Sequence, residues 1–174
     1  MAFDFKALSK IDQGLLATGA VTVLLTFFPA YAKATVEAKG TGPLGSFGGS
    51  EDRSAWVEWA TLGALLLIAA FVIVVLKLVA GNLPEGAPWN LIVAAAAGLG
   101  TLILVLYVFT FGEDVPASVA KSIDYSTGPG WSGWLLLLSA IAFTVFAFLS
   151  FKESGEKIPE INKKDTPPPA PPAA

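Results

Sequence analysis

The chain contains no cysteine and no histidine. That excludes disulfides, thiol chemistry, imidazole acid–base work and the common protein ligands of zinc, copper and haem in one step, and it leaves the redox compartment unreadable. Charge is scarce as well: 14% of the 174 residues are Asp, Glu, Lys or Arg, against about 25% in an average soluble domain. With 11 Lys and Arg against 14 Asp and Glu there is no basic excess, so nucleic acid is set aside as a partner.

What is abundant is apolar. Hydrophobic residues make up 54% of the chain and the mean hydropathy is +0.65. The purest run is Trp131 to Phe151, which carries no charge between its aromatic ends. A hydrocarbon core of roughly 30 Å needs about 20 apolar residues to cross, so this run reads as a membrane span. Three more runs follow the same rule, at about residues 14–32, 56–78 and 89–111. Residues 1–152 therefore read as an all-α, integral membrane four-helix bundle with antiparallel neighbours. Residues 153–174, Lys/Glu-rich and then Pro-rich (TPPPAPPAA), read as a disordered cytoplasmic tail with polyproline II character.

Residues 1–13 form a short amphipathic lead-in, with Lys6 and Lys10 against Asp4 and Asp12. The lysines, the following apolar run and Ala30-Tyr31-Ala32 also imitate a secretory signal with an A-x-A cleavage site. The leader acids and the length of the run favour a retained helix over that rival. Residues 33–54 are rich in glycine and read as a solvated connector, with strand-like alternation at Thr35, Val36 and Glu37 and a compact patch as the other reading. Residues 80–88 (Gly81, Pro84, Gly86, Pro88) form a tight connection. Residues 112–130 make a second outer loop ending in the turn-forming Ser126-Thr127-Gly128-Pro129-Gly130.

Small residues four apart let helix backbones approach closely, which marks Gly14/Thr18, Ala60/Ala64, Ala94/Gly98 and Ala96/Gly100 as candidate packing faces. Packing within one bundle is the economical use of them, and a homo-oligomer face is the other. Trp56, Trp59, Trp89, Trp131 and Trp134 stand at span ends and are candidate interface anchors. Glu58 is expected in the first turn of the 56–78 span, stabilised by the helix dipole and within reach of water or Arg53, and reads as structural.

Orientation follows from the lysines. With the amino terminus inside, Lys6, Lys10, Lys77, Lys152, Lys157, Lys163 and Lys164 face the cytoplasm against Lys33, Lys39, Arg53 and Lys121 outside, so both termini are expected in the cytoplasm of a multi-pass cell-membrane protein.

Pumps and proton relays keep ionisable groups at membrane depth, and the centres of these runs have none. Thr22, Thr26, Thr61, Thr101, Thr110, Ser139 and Thr144 are the polar groups there, and helix glue is the expected use. A catalytic set would have to be built from Glu51, Asp52, Glu113 and Asp114 alone, so no catalytic, cofactor-binding or metal-binding residue is assigned.

The Phe27-Phe28-Pro29-Ala30-Tyr31 ending of the first run, the glycines from Gly40 to Gly49, and the motifs Gly130-Trp131-Ser132-Gly133-Trp134 and Phe148-Leu149-Ser150-Phe151-Lys152-Glu153-Ser154 together resemble small four-span actinobacterial membrane proteins of unknown function. The resemblance covers most of residues 11–154 and implies no activity. Claudin-like folds share the larger first outer loop, but the loop cysteines expected of them are missing. The functional expectation is a non-enzymatic scaffold or accessory subunit of a bacterial envelope, binding membrane or envelope proteins through its outer loops or Pro-rich tail. The alternative is a small transporter or channel-like subunit for an apolar or neutral solute, which needs Thr61, Thr101 and Ser139 to converge on one lumen.

Overall fold

The computed structural model describes residues 4–38, 48–81, 83–111 and 123–156. A 3₁₀ turn at Phe5–Ala7, capped by Asp4, leads to helix α1, Lys10–Thr26. Ser9 caps α1, its hydroxyl accepting from the Asp12 amide at 3.1 Å. Strands β1 (Ala32–Ala38) and β2 (Gly48–Arg53) follow. Helix α2, Ala60–Val75, runs on through a π-helical turn at Leu76–Ala80. Helix α3 spans Trp89–Thr110, strand β3 Ile123–Pro129 and helix α4 Trp131–Ser154.

The helices pack as a ring, α1 on α2, α2 on α3, α3 on α4 and α4 on α1. Leu67, Leu104, Leu136 and Phe143 fill its centre with no exposed surface, while Leu62, Leu99, Leu138 and Phe148 point outward and are more than half exposed. Helices apolar on both faces suit a core on one side and lipid on the other.

Two expectations are corrected here. The fold is not all-α, because β1 pairs antiparallel with both β2 and β3 in a three-stranded sheet of order β2-β1-β3. Residues 32–38 and 48–53, expected as part of a solvated connector, are strands, and so is the Ser126–Pro129 stretch expected as a turn. The four-span count also fails. Among the described residues three helices are long and apolar enough to cross a membrane, Ala60–Val79, Trp89–Thr110 and Trp131–Ser154. A membrane location fits that fold. The first helix has 17 residues and stops at Thr26, not at residue 32. A turn at Phe27 and Phe28 follows, Ala30 takes a left-handed φ of 65°, and the chain swings into β1.

Smaller differences follow the same pattern. The run expected from residue 56 becomes helical at Ala60, after Glu58 at φ 47°, and the last helix continues past residue 151 to Ser154. Residues 153–156, expected as disordered tail, are helix end and a fold-back. The rest of that tail, 157–174, and the loop stretches 39–47 and 112–122 lie outside the described residues.

Candidate functional site

The sheet sits at the end of the bundle where α1 finishes and α2 and α4 begin. Its register sorts the side chains into two faces, since paired residues point the same way and neighbours alternate. Ala32, Ala34, Val36, Arg53 and Tyr125 share the face turned to the helices, with Ala32 and Ala34 buried. Lys33, Glu37, Asp52, Asp124 and Ser126 share the opposite face, and all are exposed. That outer face is polar and of mixed charge. A hollow of about 200 Å³ between Lys33, Thr35, Ser126 and Gly128 lies on it.

The sheet is locked to the bundle through Tyr31. Its side chain is fully buried and its hydroxyl donates to the Leu104 carbonyl inside α3 at 2.5 Å. Its own carbonyl accepts from the Gly130 amide at 3.0 Å, just ahead of α4. Next door, the Ser132 hydroxyl donates to the Pro29 carbonyl at 2.6 Å. Tyr31 stacks on Tyr107 at 6.2 Å between ring centroids, Tyr107 stacks on Phe111 at 5.4 Å, and Trp59 meets Tyr107 edge-on at 5.1 Å. Burial, and secondarily the neighbouring Tyr107, holds the Tyr31 phenol well above the usual tyrosine range.

Arg53 closes this junction. Its guanidinium lies 3.3 Å from Glu51 and 3.5 Å from Glu58, and 5.9 Å from the centre of the Phe111 ring. The nearby Tyr107 hydroxyl is the largest cause raising the Arg53 guanidinium above its ordinary value. That hydroxyl has no partner in full hydrogen-bond geometry. Glu58 therefore does reach Arg53, from a strained turn ahead of α2.

The candidate anchors divide by surroundings. Trp59, Trp131 and Trp134 are exposed by 40%, 59% and 54%. Trp131 meets Phe28 edge-on at 5.8 Å, and the half-buried Trp56 stacks on Phe27 at 5.4 Å, so this aromatic group collects at the sheet end. Trp89 is at the other end, its indole donating to the Pro84 carbonyl at 2.9 Å.

The packing candidates are only partly brought together. Gly14 lies against Phe146 of α4, while the Thr18 hydroxyl returns to the Gly14 carbonyl. Ala60 and Ala64 are buried, and Ala94 and Ala96 pack against the core. Gly100 is at the α2–α3 crossing, and its counterpart is Gly63, which the four-residue spacing passes over. Gly98 has ordinary room: a β-carbon there would meet only Thr144, at 3.8 Å. Gly19, tight against Phe71 and Phe143, is another contact that spacing alone does not reveal.

The hydroxyls along the helices serve the helices themselves. Thr101 reaches across to the Ala140 carbonyl at 3.2 Å and to Thr144 at 2.9 Å, while Thr22, Thr26, Thr110 and Ser139 bond to their own helices. Thr101 and Ser139 do not share a network. Among the described residues no group of three or more Asp or Glu side chains could hold a metal ion, and Glu113 and Asp114 lie outside them.

No protein-family model matches this chain, and no curated protein matches it. What defines the class is the combination on the page: membrane-length apolar helices, capped at one end by a small antiparallel sheet with a polar outer face.

Proposed function

We propose that this is a non-enzymatic membrane scaffold or accessory subunit of a bacterial envelope, and that the outer face of its sheet is the surface presented to a partner protein. The supporting observation is the rigid seating of that sheet. Tyr31, Gly130 and Ser132 tie it to α3 and α4, which holds Lys33, Glu37, Asp52 and Asp124 in a fixed array above the helices. A partner would meet this array already ordered, so little conformational entropy is lost on binding.

The sheet faces outward in this reading and the Lys77 end faces the cytoplasm, as the lysine distribution favours. The end of α4 then lies on the cytoplasmic side, and α1 begins at that same end of the bundle. The exposed Trp59, Trp131 and Trp134 mark the outer headgroup level. Kinship with the small actinobacterial membrane proteins of the sequence resemblance belongs to the same proposal. The solute-carrier alternative gains nothing from the hydroxyl positions.

The test is capture of stoichiometric partners from gently solubilised membranes. Charge reversal at Lys33 and Asp52 together should abolish capture while leaving the amount of folded protein unchanged. Undiminished capture by that variant would refute the sheet face as the docking surface.

A further inference from the structure

Of the three strands, β2 is the one that overhangs the bundle. It packs on β1, whereas β3, on the other side of β1, also rests on α3 and α4. Residues 48–52 are exposed throughout, and among the described residues no backbone group other than those of β1 bonds to them. Every second residue of an edge strand turns its N–H and C=O away from the sheet, ready to pair with another chain. The usual guards of such an edge are missing from β2. It contains no proline and no lysine, and its register with β1 runs without a bulge from Gly48 opposite Glu37 to Arg53 opposite Ala32.

Under that edge lies a hollow of about 320 Å³, lined by Ala34, Val36, Gly49, Glu51, Arg53 and Tyr125 on the helix-facing side of the sheet. Its room comes from Gly49. That residue stands opposite Val36, its φ is outside the left-handed region, and a β-carbon built on it would meet nothing within 4 Å. Neither backbone conformation nor a crowded neighbour therefore calls for glycine here. Glycine inside a strand marks a bulge, a sharp bend or a place where another backbone or a ligand comes close, and the unbroken register excludes the bulge.

The charge beside the hollow has one sign in excess. Glu51, Asp52 and Glu58 line the end of β2 together with one guanidinium, that of Arg53. Glu51 and Glu58 flank Arg53 and still keep 68% and 58% of their side-chain surface exposed, which leaves carboxylate lone pairs for a cation from outside. A second β2 would bring the same acids to this edge, and like charges opposed across a sheet destabilise the pairing. The edge therefore suits a strand that is basic.

We propose that the β2 edge takes up an extended segment of a partner protein as a fourth strand. In that segment an apolar side chain enters the hollow opposite Gly49, and basic side chains two and three residues away meet Glu51 and Asp52. Main-chain hydrogen bonds along β2 supply the affinity, while the hollow and the acids select the sequence. The inference rests on the sheet being a docking surface and names the chemistry of what docks. Gly49 and Glu51 belong to the face opposite Lys33, so the two readings are separable by mutation.

The test uses the full chain, one copy per phosphatidylcholine nanodisc, and the synthetic peptide KKTFTKK, whose palindromic order fits either strand direction. Residue-resolved amide hydrogen exchange is the readout. The peptide should slow exchange at alternate amides of β2. The peptides KKTGTKK and EETFTEE, which lack the apolar side chain or reverse the charge, should each bind about tenfold more weakly. Gly49→Val fills the hollow with a residue suited to a strand, and Glu51→Lys changes the charge without changing the packing; each should weaken KKTFTKK about tenfold while exchange in β1 stays as slow as in the wild type. No slowing in β2 at saturating KKTFTKK, or equal binding of the three peptides, would overturn the proposal. So would β2 amides that are already slow in single-copy discs without peptide. Slow β2 amides in two-copy discs alone would assign the edge to a second copy of the chain instead. Partner capture that survives Gly49→Val, with no peptide on β2, would overturn this inference and leave the outer face as the docking surface.

Discussion

Gly63 of α2 and Gly100 of α3 meet face to face, so that a β-carbon built on either would stand 2.9 Å from the carbonyl oxygen of the other. Two backbones this close leave no side chain to give way. Gly63→Ala or Gly100→Ala should each lower stability in detergent by about 1–3 kcal/mol, the usual cost of overpacking. Gly98→Ala, two residues from the crossing, should be neutral or slightly stabilising because its nearest neighbour is 3.8 Å away. Denaturant titration of the three variants in one detergent checks the contrast.

The two buried tyrosines should respond differently. Tyr31→Phe removes the donor to the Leu104 carbonyl and should cost about 1 kcal/mol, while Tyr107→Phe removes a hydroxyl with no full hydrogen bond and should cost less. Thermal unfolding of both variants reads the difference. A larger loss for Tyr107→Phe would mean that its approach to Arg53 is worth more than the geometry indicates.

Tyr31 also sets an alkaline limit. Its phenol is held above the ordinary tyrosine value of about 10, so the folded state binds this proton more tightly than the unfolded chain does. The sign is therefore that its contribution is fully present below about pH 10 and is lost as pH rises beyond that toward the folded value. Stability measured between neutral pH and pH 11 or so should fall for the wild type and fall less for Tyr31→Phe.

Thr101 joins α3 to α4 through Ala140 and Thr144. Thr101→Val keeps the shape and drops the bonds, and a loss of about 0.6–1.7 kcal/mol is expected in the bilayer setting. Steric-trap or denaturant unfolding measures it.

The sequence reveals most of the helices and little of the sheet, for separate physical reasons. Runs such as Trp89–Thr110 and the core of Trp131–Ser154 announce themselves because lipid demands uncharged residues over a fixed length. The sheet is made of GGSEDR, IDYSTGP and AKATVEA, in which Gly, Asp, Ser and Pro outweigh the β-branched residues that mark a strand. Its pairing of Val36 with both Gly49 and Tyr125 depends on residues far apart in the chain. Hydropathy also overran the first helix, since Phe27, Phe28, Ala30 and Tyr31 are apolar although the helix ends at Thr26. Pro29 was the local clue to that ending.

The sites divide similarly. The tryptophans at the helix ends are legible because a bilayer interface selects them one residue at a time. Gly63 needs Gly100 to acquire meaning, and Gly49 needs Val36 and Tyr125.

The orientation of the sheet is the claim on which the partner reading depends, and a chain without cysteine lets one labelling experiment decide it. Single cysteines at Ser126, exposed on the outer face of β3, and at Glu85, exposed in the α2–α3 connection, are treated with a membrane-impermeant maleimide before and after lysis. The account predicts labelling of Ser126→Cys in intact cells and of Glu85→Cys only after lysis. Labelling of Glu85→Cys in intact cells with Ser126→Cys protected would place the sheet in the cytoplasm and contradict it.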